Sequence, residues 1–271
     1  MALAVLIPAV PLAFGIGIEL GGSGTPPAVT TTAGFTPVAS TAPPTQAAPA
    51  TQTTATTSAT KAPAKPGLPP VPAGPGAIVA RVVHSTALRG TPGGRSLARL
   101  STKTEFGSPE TVWVVHRVPG WVAVVATQAG NGRVGWIRQG AVSLSRVTWE
   151  LKVSLSARRV TVLNAGKVVR QFTAAIGRQG APTPTVRFAV TDRLSTGNDN
   201  GPYGCCILAL SAHSPHTIQG WTGGDRIAIH STPDTTSIGE AASHGCVRVS
   251  LADGRWLLAH IPLGTPTLIS S

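Results

Sequence analysis

A long segment without apolar bulk occupies residues 21–77 and limits how much of the chain can fold. Most of its residues are Thr, Ala or Pro, and Lys61 and Lys65 are its only charges. Such a segment buries too little apolar surface to offset the entropy of ordering it. Its prolines favour an extended chain of about 3.1 Å per residue. We therefore expect a disordered linker, either a tether or a spacer without a role, and folded sequence from residue 78 onward.

Residues 1–20 are predicted to be a signal peptide or signal anchor. Residues 1–18 carry no charged side chain, which suits the core of a signal peptide and is borderline for a membrane span. Pro8 and Pro11 weaken a regular spanning helix. We therefore predict an exported protein, secreted or membrane-anchored, that lies at the extracellular face of the membrane or in the cell wall.

The net charge of +12 calls for an anionic partner. Nucleic acid is disfavoured, because the arginines are scattered, no basic cluster is interleaved with aromatic residues, and aromatic residues make up only 4% of the chain. For an exported protein, anionic polymers of the cell wall are the better candidates.

Residues 78–145 hold six short apolar runs separated by turn signals. Asn131-Gly132 between two of these runs is typical of a tight hairpin. Six short strands within so short a range predict a small β-barrel. A Pro-Gly-Gly turn and two Gly-Trp pairs, at Trp121 and Trp136, resemble the bacterial SH3-like domains of wall enzymes. These tryptophans serve either the barrel core or the stacking of a ligand.

Residues 146–271 are predicted to form a second folded domain, also mainly β. Apolar β-type runs recur here, and the Asn-Ala-Gly stretch at 164–166 indicates a hairpin. Residues 251–261 show the one convincing helical pattern, with Ser250 as N-cap and Pro262 as the stop. The predicted fold class is mainly β, a small SH3-like barrel followed by a β-sandwich with one or two helices.

The chain has three cysteines, so at least one thiol stays free. Cys205 and Cys206 are neighbours in an apolar run, where successive side chains point to opposite faces. Because a disulfide between neighbours is strained and rare, we predict two buried free thiols. Cys246 is then the thiol left to explain.

Cys246 lies in the string Ser-His-Gly-Cys-Val-Arg at 243–248, and His230 ends an apolar run upstream of it. An imidazole within hydrogen-bond reach of a thiol generates the nucleophilic thiolate at neutral pH. Gly245 leaves room for a substrate near the backbone, where N–H groups are candidates for an oxyanion hole. From these residues alone, a structural thiol beside a hydrogen-bonded histidine is an equally good interpretation.

The strings around His230 and Cys246, IAIHST and ASHGCVRVS, closely resemble the active-site signature of L,D-transpeptidases with a YkuD-type catalytic domain. The likeness covers about residues 148–271 and includes the stretches 181–185, 188–192 and 201–211. An SH3-like unit and a linker upstream are similar to the arrangement in actinobacterial-type members.

The resemblance implies a cysteine acyltransferase of the peptidoglycan that needs no cofactor and no metal. Cys246 would attack the carbonyl before the terminal D-alanine of a stem peptide and release that D-alanine, and a second stem would accept the acyl group in a 3→3 cross-link. His230 would activate the thiol, with its ring oriented by the carbonyl of Ser231. β-Lactams of the carbapenem class would be inhibitors. A thiolate–imidazolium pair would give a bell-shaped dependence of acylation on pH.

The resemblance also assigns a group of substrate-binding residues, which shape the oxyanion and substrate pocket: Ser231, Ser243, His244, Gly245 and Arg248. Arg248 departs from the members that carry Asn at this position. Its guanidinium is expected to face a carboxylate, either of the substrate or of a nearby Asp.

Other functions compete with the transpeptidase. A sortase-like enzyme also places a His before a Cys, but much further apart. An L,D-carboxypeptidase is the closest alternative, because water and an amine compete for the same acyl-enzyme. A non-catalytic wall-binding protein is disfavoured by the intact His230/Cys246 pair. A metal site at His213 and His216 is disfavoured because no further ligand completes it.

Overall fold

The computed structural model describes residues 71, 73–215 and 224–271. The predicted leader and all but the last few residues of the predicted linker lie outside them. All the described residues belong to one compact unit. No helix within the described ranges is long and apolar enough to span a membrane.

An antiparallel sheet of seven strands forms the N-terminal part, which the sequence predicted with six. The strands are β1 (Ala77–Val82), β2 (Thr86–Arg89), β3 (Ser96–Leu100), β4 (Thr111–Val118), β5 (Trp121–Val125), β6 (Gly135–Arg138) and β7 (Val142–Val147). Their order in the sheet is β3-β2-β6-β5-β4-β1-β7. The strand missing from the prediction is β2, and the last strand extends beyond the predicted domain boundary at 145. The likeness of this part to an SH3-like domain stays a prediction.

The two tryptophans of the Gly-Trp pairs differ in burial. Trp121 is buried, and the guanidinium of Arg138 lies 4.3 Å from the centre of its ring. Trp136 is half-buried and meets His116 edge to face, with ring centres 5.9 Å apart. Trp121 therefore belongs to the packed interior, the first of the two roles considered for it.

The predicted tight hairpin at Asn131-Gly132 is wrong. Strands β5 and β6 do pair, but the longer segment 126–134 connects them. The Asn131 side chain is engaged elsewhere: its amide donates to the carbonyl of His213 at 2.7 Å and accepts from the N–H of His213 at 2.8 Å. The residue that looked like a turn former is thus a contact between the two parts of the unit.

The C-terminal part contains ten further strands and one α-helix. They are β8 (Trp149–Ser154), β9 (Arg159–Asn164), β10 (Lys167–Thr173), β11 (Ile176–Gly177), β12 (Val186–Ser195), β13 (Cys206–His213), β14 (Arg226–Ser231), β15 (Ala241–Ser243), β16 (Val247–Val249), α1 (Leu251–His260) and β17 (Pro266–Ser270). Eight of the strands form one mixed sheet in the order β10-β9-β8-β17-β12-β13-β14-β16, and β11 pairs with β15. The predicted mainly β fold class is confirmed.

Residue alternation and turn chemistry explain the local structure. In β8, Leu151 and Val153 are buried while Lys152 is exposed, the period of two that a half-buried strand requires. The predicted hairpin at 164–166 joins β9 to β10, and both Ala165 and Gly166 have positive φ, at 50° and 78°. The predicted N-cap of α1 is also confirmed, because Ser250 Oγ accepts from the backbone N–H of Asp253 at 3.1 Å.

A polar cluster, buried except for Glu105, joins the two parts of the unit. Its members are Thr104, Glu105 and Glu110 from the N-terminal part, and Asp192 and Arg226 from the C-terminal sheet; we call it the junction cluster. Thr104 Oγ1 donates to Asp192 Oδ1 at 2.5 Å, and the Arg226 guanidinium forms an ion pair with Glu105. Arg226 also donates to the carbonyl of Leu210. The predicted domains 78–145 and 146–271 are therefore linked by specific polar contacts.

Candidate active site

The loop that carries Cys246 connects β15 to β16 and is closed by Ser243. Ser243 Oγ donates to the carbonyl of Cys246 at 2.5 Å and accepts from the N–H of Gly245 at 3.1 Å. Gly245 has φ 116°, and a Cβ there would lie 2.9 Å from Cδ1 of Ile227. Only glycine suits this position. The N–H of Gly245 is bonded within the loop to Ser243, so an oxyanion donor in this region would have to be another N–H group.

His230 lies near the end of β14, which pairs in parallel with β16. The register sets Ile229 opposite Val247 and His230 opposite Arg248, so the histidine is adjacent to the strand that follows Cys246. His230 Nδ1 lies 2.8 Å from the backbone carbonyl of Ser231. Since a carbonyl only accepts, Nδ1 carries the hydrogen, and Nε2 is left as an acceptor.

One small cavity, which we call the thiol cavity, brings most of the predicted site residues together. Its volume is about 180 Å³, and its lining residues are Pro202, Tyr203, His230, Ser243, His244, Cys246 and Arg248. Ser231 and Gly245 do not line the cavity. They support it from behind, Ser231 by holding the His230 ring and Gly245 by allowing the turn before Cys246.

Tyr203 is the lining residue with a close ring contact that the sequence did not single out. Its ring centre lies 4.9 Å from that of His230, at an interplanar angle of 65°. Burial, and then the nearby Cys246, raises the pKa of its phenol, which therefore stays protonated. The only signal in the sequence was its place within the 201–211 stretch that resembles the family.

Burial keeps both members of the reactive pair neutral at neutral pH. It lowers the pKa of His230 to about 4, helped by the charge of Arg248 and opposed by hydrogen bonds to the backbone of Ser231 and Tyr203. It raises the pKa of the Cys246 thiol to about 11, opposed by a backbone hydrogen bond at Ala228 and by Arg248. Burial therefore disfavours the thiolate–imidazolium pair expected from the sequence, because it disfavours the charged form of each group.

Arg248 has a buried Nε without a hydrogen-bond partner. Within the described residues, no carboxylate forms an ion pair with its guanidinium. Of the two roles considered for Arg248, the salt bridge to a nearby Asp is thus not formed in this part of the chain. Its backbone is fixed, because Arg248 and Ala175 exchange two N–H to carbonyl hydrogen bonds of 2.9 Å.

The remaining cysteines are not the free thiols we predicted. Cys205 and Cys206 form a disulfide with each other, and Cys246 is the free cysteine. The alternation of side chains in a strand does not apply to Cys205, because β13 begins only at Cys206. The pair lies at the junction of a loop and a strand, where the backbone brings neighbouring side chains together.

No group of three His, Cys, Asp or Glu side chains suited to a metal ion occurs among the described residues. His213 has other partners: Nδ1 lies 2.8 Å from Asp225 Oδ1 and Nε2 lies 3.0 Å from the carbonyl of Thr127. His216, its proposed companion, lies outside the described residues.

The C-terminal part of the chain is similar to known proteins. YkuD of Bacillus subtilis is 29% identical over 124 residues, 46% of this chain and 67% of that protein. L,D-transpeptidase 1 of Mycobacterium tuberculosis is 30% identical over 121 residues, 42% of this chain and 47% of that protein. A solved L,D-transpeptidase from Mycobacterium smegmatis is 17% identical with a TM-score of 0.39, and covers 59% of this chain and 90% of its own.

The family match includes every residue of the thiol cavity. Residues 148–269 match the YkuD family, described as the L,D-transpeptidase catalytic domain. This range begins one residue before β8 and ends within β17, so it spans the whole mixed sheet, both short strands and α1. The similarity of this chain to L,D-transpeptidase catalytic domains of the YkuD family therefore lies in residues 148–269, which include the whole lining of the thiol cavity.

Proposed function

We propose that the protein is a peptidoglycan L,D-transpeptidase that forms 3→3 cross-links through an acyl-enzyme on Cys246. The observation that carries the proposal is the thiol cavity, in which a free cysteine and a histidine with a defined tautomer line the same small space. The family of the catalytic domain supports the same reaction class.

The neutral pair sets the order of proton transfers. Nε2 of His230 takes the thiol proton as the sulfur of Cys246 attacks the carbonyl carbon before the terminal D-alanine, so no stable ion pair has to form in the buried cavity. The imidazolium then gives this proton to the departing amine of D-alanine, which leaves a thioester. The Nδ1 contact to Ser231 keeps the ring in one orientation throughout.

Arg248 is proposed to bind the carboxylate of the stem peptide. Its side chain lines the thiol cavity and its buried Nε has no partner among the described groups, which leaves a donor for an incoming carboxylate. His244 is exposed at the rim and Ser243 shapes the floor. Tyr203 adds a protonated hydroxyl on the same cavity, a donor for the charge that develops on the substrate oxygen.

Resolution of the thioester decides between two products. Attack by the side-chain amine of residue 3 on a second stem forms an amide and returns the thiol, which is transpeptidation. Attack by water yields a free tripeptide, which is the L,D-carboxypeptidase alternative. Both reacting side chains are almost fully buried, and this limits the access of water once a substrate fills the cavity.

Export and wall binding belong to the same proposal. The Cys205–Cys206 disulfide is typical of a protein outside the reducing cytosol. We propose that residues 1–20 direct export, that residues 21–77 tether the folded part, and that the seven-stranded sheet acts as an SH3-like module near anionic wall polymers, which the net charge of +12 attracts.

The test uses a tetrapeptide stem with and without a second stem as acceptor. Mass spectrometry should detect released D-alanine and a cross-linked dimer with the wild type, and neither with Cys246→Ala. A carbapenem should add its mass to the peptide that carries Cys246 and not to the peptide that carries Cys205 and Cys206, which is the internal control. Tripeptide without dimer would establish the carboxypeptidase instead, and equal turnover by Cys246→Ala would refute both.

A further inference from the structure

The Cys205–Cys206 disulfide lines a second cavity that is larger than the thiol cavity. Cys205 follows the loop that carries Tyr203, and Cys206 opens β13. Both cysteines line an open cavity of about 660 Å³, together with Asn198, Arg255 and other residues of the 195–200 loop and α1. We call it the disulfide cavity. The cysteines are 7% and 4% exposed, so the disulfide cavity is the place where a small molecule would reach them.

The disulfide also contacts Ser231, which does not line the disulfide cavity. Cys205 Sγ lies 3.4 Å from Ser231 Oγ, and the N–H of Cys206 donates to the same oxygen at 3.1 Å. The hydroxyl of Ser231 also reaches the carbonyl of Tyr203 at 3.3 Å. The carbonyl of Ser231 is the group that holds Nδ1 of His230. One serine thus connects the disulfide to the catalytic histidine.

Ser231 is packed closely against Gly204 and Gly254, so its side chain cannot move independently of them. A Cβ on Gly204 would lie 2.4 Å from Ser231 Oγ, and a Cβ on Gly254 would lie 2.6 Å from Ser231 Cβ. The same position on Gly254 would be 3.4 Å from Cβ of Cys206. Because backbone fills the space on both sides, a displacement of either cysteine is transmitted to Ser231.

We propose that Cys205–Cys206 is a second thiol-reactive site, which exchanges reversibly with small dithiols through the disulfide cavity and, by way of Ser231, controls the orientation of His230. The inference rests on the proposed role of His230. Ser231 and the cysteine pair are positioning residues here, since none of them lines the thiol cavity.

The exchange balances with a dithiol as the named reductant. One of its thiolates attacks a sulfur of the pair and breaks the S–S bond, which gives a mixed disulfide and one cysteine thiolate. The second thiol of the reductant then displaces the other cysteine and closes a cyclic disulfide. The pair gains two electrons and two protons. Bonded sulfurs lie about 2 Å apart and separate ones about 3.5–4 Å apart, so reduction must displace at least one side chain against Ser231.

The first measurement follows the pair without any use of enzyme activity. Intact mass of the air-oxidised protein should rise by two hydrogen atoms after treatment with dithiothreitol, and peptide mapping should assign both to the Cys205–Cys206 peptide. Unchanged mass, with both cysteines alkylated before reduction, would overturn the proposal at its first step.

The second measurement is the rate at which iodoacetamide alkylates Cys246, followed over pH after the reductant has been removed. Reduction should slow this rate about tenfold, because His230 loses its fixed orientation. The acid limb of the profile should move from about 4 toward the ordinary range of imidazole as the ring becomes less enclosed. A simple loss of stability would not move this limb, and the thermal midpoint measured alongside separates the two effects.

Two variants complete the test. Cys205→Ser/Cys206→Ser should show the slow rate at all times and no response to reductant. Ser231→Ala keeps the carbonyl that binds His230 but removes the hydroxyl that contacts the cysteine pair. In this variant the Cys205–Cys206 disulfide should still be reduced, but reduction should no longer change the alkylation rate of Cys246. An equal or faster rate in reduced wild type would overturn the coupling. A protein whose Cys246 responds as expected but never forms an acyl-enzyme would refute the proposed function and leave this inference standing.

Discussion

At the junction between the two sheets, buried ionisable groups find their partners in other side chains, whereas in the thiol cavity they find them mainly in the backbone. Arg226 pairs with Glu105, and Asp192 accepts from Thr104. His230 instead holds the carbonyl of Ser231. The buried Arg226 guanidinium donates to the side chains of Glu105 and Thr191, in addition to the carbonyl of Leu210. Backbone partners fix the geometry of His230 and leave it neutral and ready to accept a proton. The bonds of the junction cluster join the two sheets, whereas the bonds of His230 in the thiol cavity leave one ring nitrogen able to accept a proton.

The largest effect on the rate of acylation should come from a substitution of His230. This follows if the neutral ring, held by the carbonyl of Ser231, is the group that accepts the thiol proton. His230→Gln keeps a polar side chain but removes the proton acceptor, so the rate of acylation should fall by about 10²–10⁴. His244→Gln is the matched control, because His244 is exposed at the rim, and it should lose much less. Stopped-flow acylation by a carbapenem measures both. A larger loss with His244→Gln would assign the base to the other histidine.

Removal of Arg226 should break the junction cluster. Arg226→Met leaves the buried carbonyl of Leu210 and the hydroxyl of Thr191 without their donor, and such a loss costs about 1–3 kcal/mol of unfolding free energy. The control is Arg255→Met, whose ion pair with Asp199 is at the surface. The side chain of Arg255 is 53% exposed against 2% for Arg226, so its loss should be about 0–1 kcal/mol. Similar losses in urea unfolding would contradict the contrast between the two pairs.

Glu110 should make stability depend on pH. Burial first, and then the charges of Asp192 and Glu105, raise its pKa from 4.5 to about 7, against the opposing effect of Arg226. A carboxyl with a raised folded pKa favours the folded state fully below 4.5, and this contribution is lost as pH rises through 7. The loss is at most about 3 kcal/mol.

Glu110→Gln is the test of this linkage. The amide cannot ionise, so the variant should lose the fall in unfolding free energy between acidic and alkaline pH, and it should be the more stable protein at alkaline pH. Glu240→Gln, at an exposed position, should keep the wild-type pH dependence. Parallel curves for wild type and Glu110→Gln would show that Glu110 is ionised in the folded protein.

The smallest effect concerns the neutral state of the reactive pair. With pKa values of about 4 for His230 and about 11 for Cys246, the rate of acylation should be nearly constant from about pH 5 to about pH 10. Since the thiol proton moves during the attack, the reaction should be slower in heavy water. A narrow bell with no solvent isotope effect would restore the preformed ion pair.

Sequence reasoning succeeded where structure and chemistry depend on neighbours in the chain. The hairpin at 164–166, the N-cap at Ser250 and the string around Cys246 each contain their own determinants. Patterns of a few residues also identified the mainly β fold class. Only the resemblance to a family indicated that His230 and Cys246 belong to one site. Their proximity depends on the parallel pairing of β14 with β16, which the local sequence does not predict.

It failed where distant partners decide the outcome. Glu105 and Arg226 are 121 residues apart in the chain, and the sequence around each of them does not predict their ion pair. Asn131-Gly132 is a dipeptide typical of tight hairpin turns, but the Asn131 side chain instead bonds His213, 82 residues away. The effect of burial on the pKa values of His230 and Cys246 was missed for the same reason, because burial is a property of the assembled sheet and not of the local string.

Strand β14 has a consequence for the modularity of this catalytic domain. It begins at Arg226, which forms an ion pair with Glu105 from the segment between β3 and β4, and further along the same strand His230 lines the thiol cavity. We therefore expect that the C-terminal part cannot be joined to an unrelated upstream domain without loss of this ion pair. A chimaera with a different upstream module would keep the bonds of Arg226 to Leu210 and Thr191 but lose its only carboxylate partner among the described residues, unless the new module also supplied an acidic residue at the place of Glu105.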